Sequence, residues 1–268
     1  MKNKVVIITG ASSGIGFACA EAFGKAGARV VVIAARNMEK LAEAESKLKA
    51  KGIQCLAVKT DVSIEDDCKN LIDKSVEAYG AVDVLVNNAG LSMRALFKDV
   101  DLNVLKQLMD INFWGTVYCT KYALPYLLKS RGSVLGISSI AGKKGVPART
   151  GYSASKFAME GFLETIRIEY LKVGLHVLVV SPGFVATNIR YTSLTKDGSA
   201  QVDSPRNESE MMQPEEVAKH ILQAVKKRKR DLILTAQGKL VVFLDKFFPA
   251  FMDKMVYGHM AKEKDAPF

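Results

Sequence analysis

The chain alternates short, unbroken apolar runs with longer stretches in which apolar residues recur every three or four positions. The runs are 4–8, 29–34, 54–58, 82–86, 134–137, 175–180 and 232–234, and Val and Ile dominate them. Runs so uniformly apolar and β-branched fit strands buried on both faces of a parallel sheet. The stretches 17–27, 38–51, 64–79, 101–126, the segment beyond Gly151 and 214–230 have helical periodicity. Strand and helix alternate with no compositional break. This predicts one α/β domain over 1–236, a doubly wound, parallel, seven-stranded sheet with helices on both faces, and a C-terminal amphipathic extension over 237–268. The 101–126 pattern breaks near Ile111-Asn112-Phe113, where a buried amide would need partners.

The strand ends carry the polar and small residues. The first run leads into Thr9-Gly10-Ala11-Ser12-Ser13-Gly14-Ile15-Gly16 and then a helix. Strand, glycine-rich turn and helix together set a pyrophosphate on a helix N-terminus. Gly10 permits the turn, Gly14 lets the backbone approach phosphates, and Gly16 lets helix and strand pack. The spacing is T-G-x-x-x-G-x-G, not the common G-x-G-x-x-G. The second run ends without the acid that would accept from a ribose 2′-hydroxyl; Arg36 stands there instead. A guanidinium suits a 2′-phosphate, so NADP is favoured over NAD. Asp61, with Val62, follows the third run on the ligand edge, and Asn87-Asn88-Ala89-Gly90 closes the fourth in a turn that lets a flat ligand pass closely. After the sixth run, Ser181-Pro182-Gly183-Phe184-Val185-Ala186-Thr187 opens a patternless segment reaching Met212, long enough to be a substrate lid.

Tyr152 and Lys156 are four residues apart at the start of a helical pattern, and so share one face. An ammonium beside a phenol favours the phenolate and would bring the tyrosine down toward working pH, fit to give a proton to a carbonyl or take one from an alcohol. Ser139, at the end of the fifth run, could hold the same substrate oxygen.

Composition narrows the field. With 268 residues, 49% hydrophobic, the chain can bury a sizeable core, and its net charge of +10 favours anionic ligands or surfaces. Cys19, Cys55, Cys68 and Cys119 form no C-x-x-C pair, which is expected of buried thiols in a reducing compartment, and the three histidines are too scattered for a metal site. No leader precedes the first strand and no run is long enough to span a bilayer, so a cytoplasmic location is expected. Lys226-Lys227-Arg228-Lys229-Arg230 lacks any recognition helix or aromatic platform that would suggest nucleic acid.

Thr9 to Gly16, Asp61, Asn87 to Gly90, Asn112, Ser139, Tyr152 with Lys156, and Pro182-Gly183 with Thr187 occur in an order that resembles the short-chain dehydrogenase/reductase family over nearly all of 4–234. The resemblance implies a Rossmann fold and an NADP(H)-dependent enzyme working between a ketone and a secondary alcohol, NAD(H) being the lesser alternative. It implies a tetrad. Ser139 polarises the substrate oxygen, Tyr152 is the acid or base, Lys156 binds the nicotinamide ribose and tunes Tyr152, and Asn112 holds a water linking Lys156 to solvent. It puts Gly10, Ser12, Ser13, Gly14, Ile15 and Gly16 around the pyrophosphate, Asp61 and Val62 at adenine, and Asn88, Ala89 and Gly90 by the adjoining ribose. Pro182, Gly183, Val185 and Thr187 come at the carboxamide. It also implies homodimers or homotetramers built on the Asn112 and Tyr152 helices. The tail and the 181–198 stretch are most similar to the member 7B group, linked to acyl-dihydroxyacetone-phosphate reduction, which points to a long-chain or polycyclic ketone; a 3-oxoacyl thioester or sugar-like ketone is the alternative. An idle NADP-binding scaffold or sensor is the reading from another class, and the intact tetrad argues against it. The basic run and the aromatic 240–252 segment fit a solvated helix end with a final helix covering the core, a subunit contact, a peripheral membrane foot, or the wall of a lipid tunnel.

Overall fold

In a computed structural model, residues 1–203, 211–263 and 265–268 are described. The strands are β1 Val5–Thr9, β2 Val30–Ala35, β3 Cys55–Lys59, β4 Val84–Asn87, β5 Ser133–Ile137, β6 His176–Ser181 and β7 Asp231–Ile233. They form one seven-stranded sheet, all parallel, in the order β3-β2-β1-β4-β5-β6-β7. The helices between them are α1 Gly14–Lys25, α2 Met38–Ala50, α3 Glu65–Tyr79, α4 Leu102–Met109, α5 Gly115–Ser130, α6 Thr150–Glu169 and α7 Pro214–Lys226. The extension folds as α8 Ala236–Asp245 and α9 Pro249–Met260, with Pro249 at the first helical position of the second.

Alternate strand residues feed opposite cores, as the period of two requires. Ile7, Val32, Leu85 and Val134 pack with α3, α4, α5 and α6 on one face. Val6, Ile8, Val31, Ile33 and Leu135 pack with α1, α2 and α7 on the other. The strand order reverses direction between β1 and β4, and a crevice opens there at the carboxyl ends of the strands. Thr9 closes its floor. Its Oγ1 accepts from the amides of Asn88 and Ala89, both at 3.0 Å.

Several boundaries differ from the sequence pattern. The first helix begins at Gly14, inside the glycine-rich turn, so the last glycine is already helical. The fourth strand ends at Asn87 rather than Val86. The break at 111–113 is one π-helical turn, Asp110–Trp114, joining α4 to α5. The basic run is partly structural. Arg228 donates to the carbonyls of Arg131 and Gly174, and Arg230 pairs with Glu164 and Asp231. The 183–212 segment holds a short 3-10 turn, Asn188–Arg190, and is pinned by single bridges from Met93 to Leu194 and from Val185 to Met212. The rest of the expected lid, 204–210, lies outside the described residues. Among those described, no helix is long and apolar enough to cross a membrane.

Candidate active site

The turn after β1 is shaped to leave its backbone bare. Gly10 and Gly14 have φ of +63° and +55°, the left-handed region that a side chain disfavours. A Cβ on Gly16 would stand 2.5 Å from Gly10 O and from the Asn88 side-chain Nδ2. The α1 N-terminus thus points exposed amides into the crevice, a ready site for phosphate oxygens. A Cβ on Gly14 would lie 3.2 Å from Thr187 Cγ2, so the phosphate turn faces the loop after β6 across the crevice. These features fit a dinucleotide.

The crevice is a single cavity of about 720 Å³. Gly10, Ser12, Ser13, Gly14 and Ile15 form one end; Arg36, Asp61 and Val62 the next; Asn88, Ala89 and Gly90 the floor. Ser139, Tyr152 and Lys156, facing Pro182, Gly183, Val185 and Thr187, form the far end. Two of the expected site residues stand behind the cavity surface, Gly16 in the close helix–strand packing expected of it. Gly16 lies beneath the turn and does not line the cavity. Asn112 is fully buried behind the wall. Its Oδ1 accepts from Leu91 N at 2.8 Å, and its Nδ2 donates to Leu91 O and Ser155 Oγ, both at 2.9 Å. The π turn is what swings this amide inward. Asn112 therefore fixes the strand-end loop, and its amide lies only 3.2 Å from where a Gly90 Cβ would stand, with Lys156 Nζ at 3.4 Å. Asn88 also turns inward, donating to Thr9 O and Gly10 O at 2.9 and 3.1 Å, so its side chain braces the glycine turn.

Tyr152 sits in the first turn of α6, and Lys156 one turn on. Burial pushes the phenol up; the Ser139 hydroxyl and, beyond it, the Arg149 charge pull it back. Lys156 is buried, and desolvation pushes it down to about 8 against the opposing pull of Glu160. Its Nζ donates to Ile137 O at 2.8 Å and stands 5.7 Å from the Tyr152 ring centre. Lys156 Nζ lies near Gly90, and Ser139 and Arg149 are the neighbours that favour the phenolate.

Sequence reasoning missed several residues. Lys40 lines the cavity beside Arg36, from the first turn of α2. Glu160, pushed up by burial, accepts from Ser138 Oγ at 2.6 Å and pairs with Lys143 at 2.6 Å. It is four residues beyond Lys156, and that spacing was the available signal. Val241, Met252, Met255 and Val256 bring α8 and α9 into the cavity wall. A tunnel wall was one of several expectations for the tail; its amphipathicity alone does not say which of them the buried face meets.

A phosphate cradle at the switch point, leading to a tyrosine, a serine and a lysine, defines a nicotinamide-dependent oxidoreductase. The chain belongs to the short-chain dehydrogenase/reductase family: the family model described as short chain dehydrogenase matches residues 4–197. It is 36% identical over 272 residues to "Dehydrogenase/reductase SDR family member 7B" of Bos taurus, covering 98% of this chain and 83% of that protein. It is 35% identical to "Dehydrogenase/reductase SDR family protein 7-like" of Dictyostelium discoideum, covering 96% and 81%. Among solved structures, an alcohol dehydrogenase from Thermococcus sibiricus complexed with 5-hydroxy-NADP aligns with a TM-score of 0.76 at 25% identity, over 87% of this chain and 96% of that one. A short-chain dehydrogenase/reductase from Burkholderia phymatum in complex with NAD shares the fold, with a TM-score of 0.82 at 24% identity over 93% and 95%.

Proposed function

We propose that this enzyme uses NADPH to reduce a ketone carried on a lipid-like molecule, and runs in reverse on the corresponding secondary alcohol. One observation carries the reading: the cavity that begins at the glycine turn continues past Tyr152 onto the apolar inner faces of α8 and α9. A bound nicotinamide supplies the hydride. Gly10, Gly14 and the α1 amides would hold its phosphates, Arg36 and Lys40 its 2′-phosphate, and Lys156, beside Gly90, its ribose. Ser139 fixes the substrate oxygen, Tyr152 delivers the proton, and the methionine-lined wall excludes water from the chain of the substrate. The test is NADPH consumption with a homologous series of ketones. The specificity constant is expected to climb with chain length, by up to about fourfold per buried methylene, until the wall is filled. A series flat in length, or one favouring polyhydroxylated ketones, sinks the lipid reading.

The partner that fits the other side of the extension is an anionic lipid surface. Leu240, Phe243, Phe247, Phe248 and Phe251 stand outward, 54 to 63% exposed. Lys239, Lys246 and Lys254 are exposed among them. An aromatic face ringed by lysines is suited to the headgroup boundary, and a foot there would open the cavity wall to molecules dissolved in the bilayer. With vesicles containing phosphatidylserine the protein is expected to pellet. Phe247→Ser/Phe251→Ser should stay in the supernatant while binding NADPH normally. Equal pelleting of the two proteins, or none of the wild type, counts against the foot.

A further inference from the structure

Arg149 stands at the cap of α6, three residues before Tyr152, and lines the same cavity. The residue before it, Ala148, is buried and has φ +58°, the left-handed region that non-glycine residues avoid. Such a conformation persists only where its surroundings enforce it. Here the Ala148 carbonyl accepts from Ala95 N at 3.1 Å and from Arg149 Nη1 at 3.3 Å. The consequence is that the Arg149 side chain is folded into the wall, 14% exposed. It meets Glu263, which follows α9 and has a side chain only 3% exposed. Glu263 Oε2 lies 3.4 Å from Arg149 Nη2 and 3.6 Å from Arg94 Nε. A carboxylate from the end of the chain therefore gathers two guanidiniums at the catalytic helix.

We propose that Arg149, held by Glu263, is a positioning residue for the proton donor, keeping a permanent cation beside the Tyr152 phenol and making the extension part of the site. This deepens the reading of Tyr152 as proton donor and rests on it. Giving up its proton leaves the phenol as a buried anion, and a fixed cation nearby reduces the cost of that anion. Lys156 is less dependable for this. Burial holds it near about 8, and its Nζ is turned to Ile137 O. A guanidinium stays charged at every pH the fold tolerates. Among the described residues, the other charged and titratable groups of the cavity wall on this side are Lys144 from the loop before α6, Arg190 from the segment after β6 and His259 from α9; Glu160 lies one turn beyond Lys156 on α6. Lys144 is itself tied to Asp245 and Asp253 at 2.6 and 2.5 Å.

The test needs no substrate. The full chain is prepared with tyrosine carbon-13-labelled at Cζ, and the Tyr152 signal is identified by its loss in Tyr152→Phe. Its titration midpoint is then read by NMR. Arg149→Met should raise the midpoint by roughly a unit, and Arg149→Lys should leave it close to wild type. Arg149→Gln is the second charge-removing variant should the methionine prevent folding, and NADPH affinity checks that each variant is folded. Glu263→Gln should also raise the midpoint, and adding it to Arg149→Met should move it no further. An unmoved midpoint in folded Arg149→Met or Arg149→Gln overturns the proposal, as does a fall in Glu263→Gln, which would make Glu263 a mere counter-charge. Turnover of Tyr152→Phe separates the two ideas. An active Tyr152→Phe sinks the proton-donor reading itself, whereas an inactive one with an unmoved Arg149 midpoint sinks only this inference.

Discussion

Tyr152→Phe is expected to lower turnover about a thousandfold while changing NADPH affinity by less than about twofold, the loss being that of a positioned general acid. The substitution removes one oxygen and keeps the ring that packs into the wall of the far end. The fold has little reason to respond, because the ring is part of the packing on the α4 to α6 face and survives intact. The chemistry has every reason to. Ser139 can hold an oxygen, but as an alcohol it cannot supply a proton at a useful rate, and Lys156 points toward Ile137 O at 2.8 Å. Because Lys156 remains, a dinucleotide should keep the contacts proposed for it. The pH dependence carries a sign. Burial raises the phenol above its ordinary range. In alcohol oxidation the phenolate is the working form, so the rate should rise through the alkaline range. In reduction the protonated phenol is the working form, and the rate should fall there. Turnover of Tyr152→Phe within tenfold of wild type would remove the phenol from the mechanism.

Much of this was legible in the residues because each signal was local. Buried strands must be apolar on both faces, so 4–8, 29–34 and 175–180 declared themselves, and the glycine turn follows from conformations only glycine adopts freely at Gly10 and Gly14. Tyr152 and Lys156 share a helix face by spacing alone. Asn112 was visible as a break in periodicity, but the π turn that buries it, and its bonds to Leu91, depend on a loop 21 residues away. Arg149 and Glu263 were illegible for the same reason in stronger form: they are 114 residues apart, and neither has a local pattern. The basic run was legible in part, since all five of its cations are exposed. What the pattern could not show is that Arg228 and Arg230 also reach carbonyls and carboxylates that only the folded sheet brings near. Local chemistry survives the passage from sequence to structure; the pairing of distant charges is settled by topology.

Arg36→Ala is expected to weaken NADPH binding by about 10- to 100-fold and NADH binding by less than threefold, the range of a charge-assisted hydrogen bond to a phosphate. The second strand ends at Ala35, so Arg36 is the first residue past the sheet and its side chain, 59% exposed, lines the cavity. Two neighbours pull in opposite directions. Lys40, on the first turn of α2, adds a second cation to the same corner. Asp61 sets its Oδ2 4.0 Å from Arg36 Nη1, where it steadies the guanidinium and also repels an incoming phosphate. The repulsion is the smaller effect. Asp61 Oδ1 is already taken by Ser63 N and Oγ at 3.0 and 2.7 Å, and at 4.0 Å the pair with Arg36 is loose and largely in water. A phosphate bonded directly by the guanidinium would outcompete it. Exposure gives a second handle: the preference for NADPH should shrink as salt rises toward 1 M, where screening reaches roughly 3 Å. Arg36→Asp should go further than alanine, rejecting the 2′-phosphate and offering the ribose hydroxyl an acceptor, so that NADH becomes the better substrate. Dissociation constants for both nucleotides, measured by quenching of protein fluorescence, decide the matter. Equal losses for NADPH and NADH would show that Arg36 supports the turn rather than reads the phosphate, and a preference that survives Arg36→Ala but collapses in Lys40→Ala would move the assignment one helical turn along the chain.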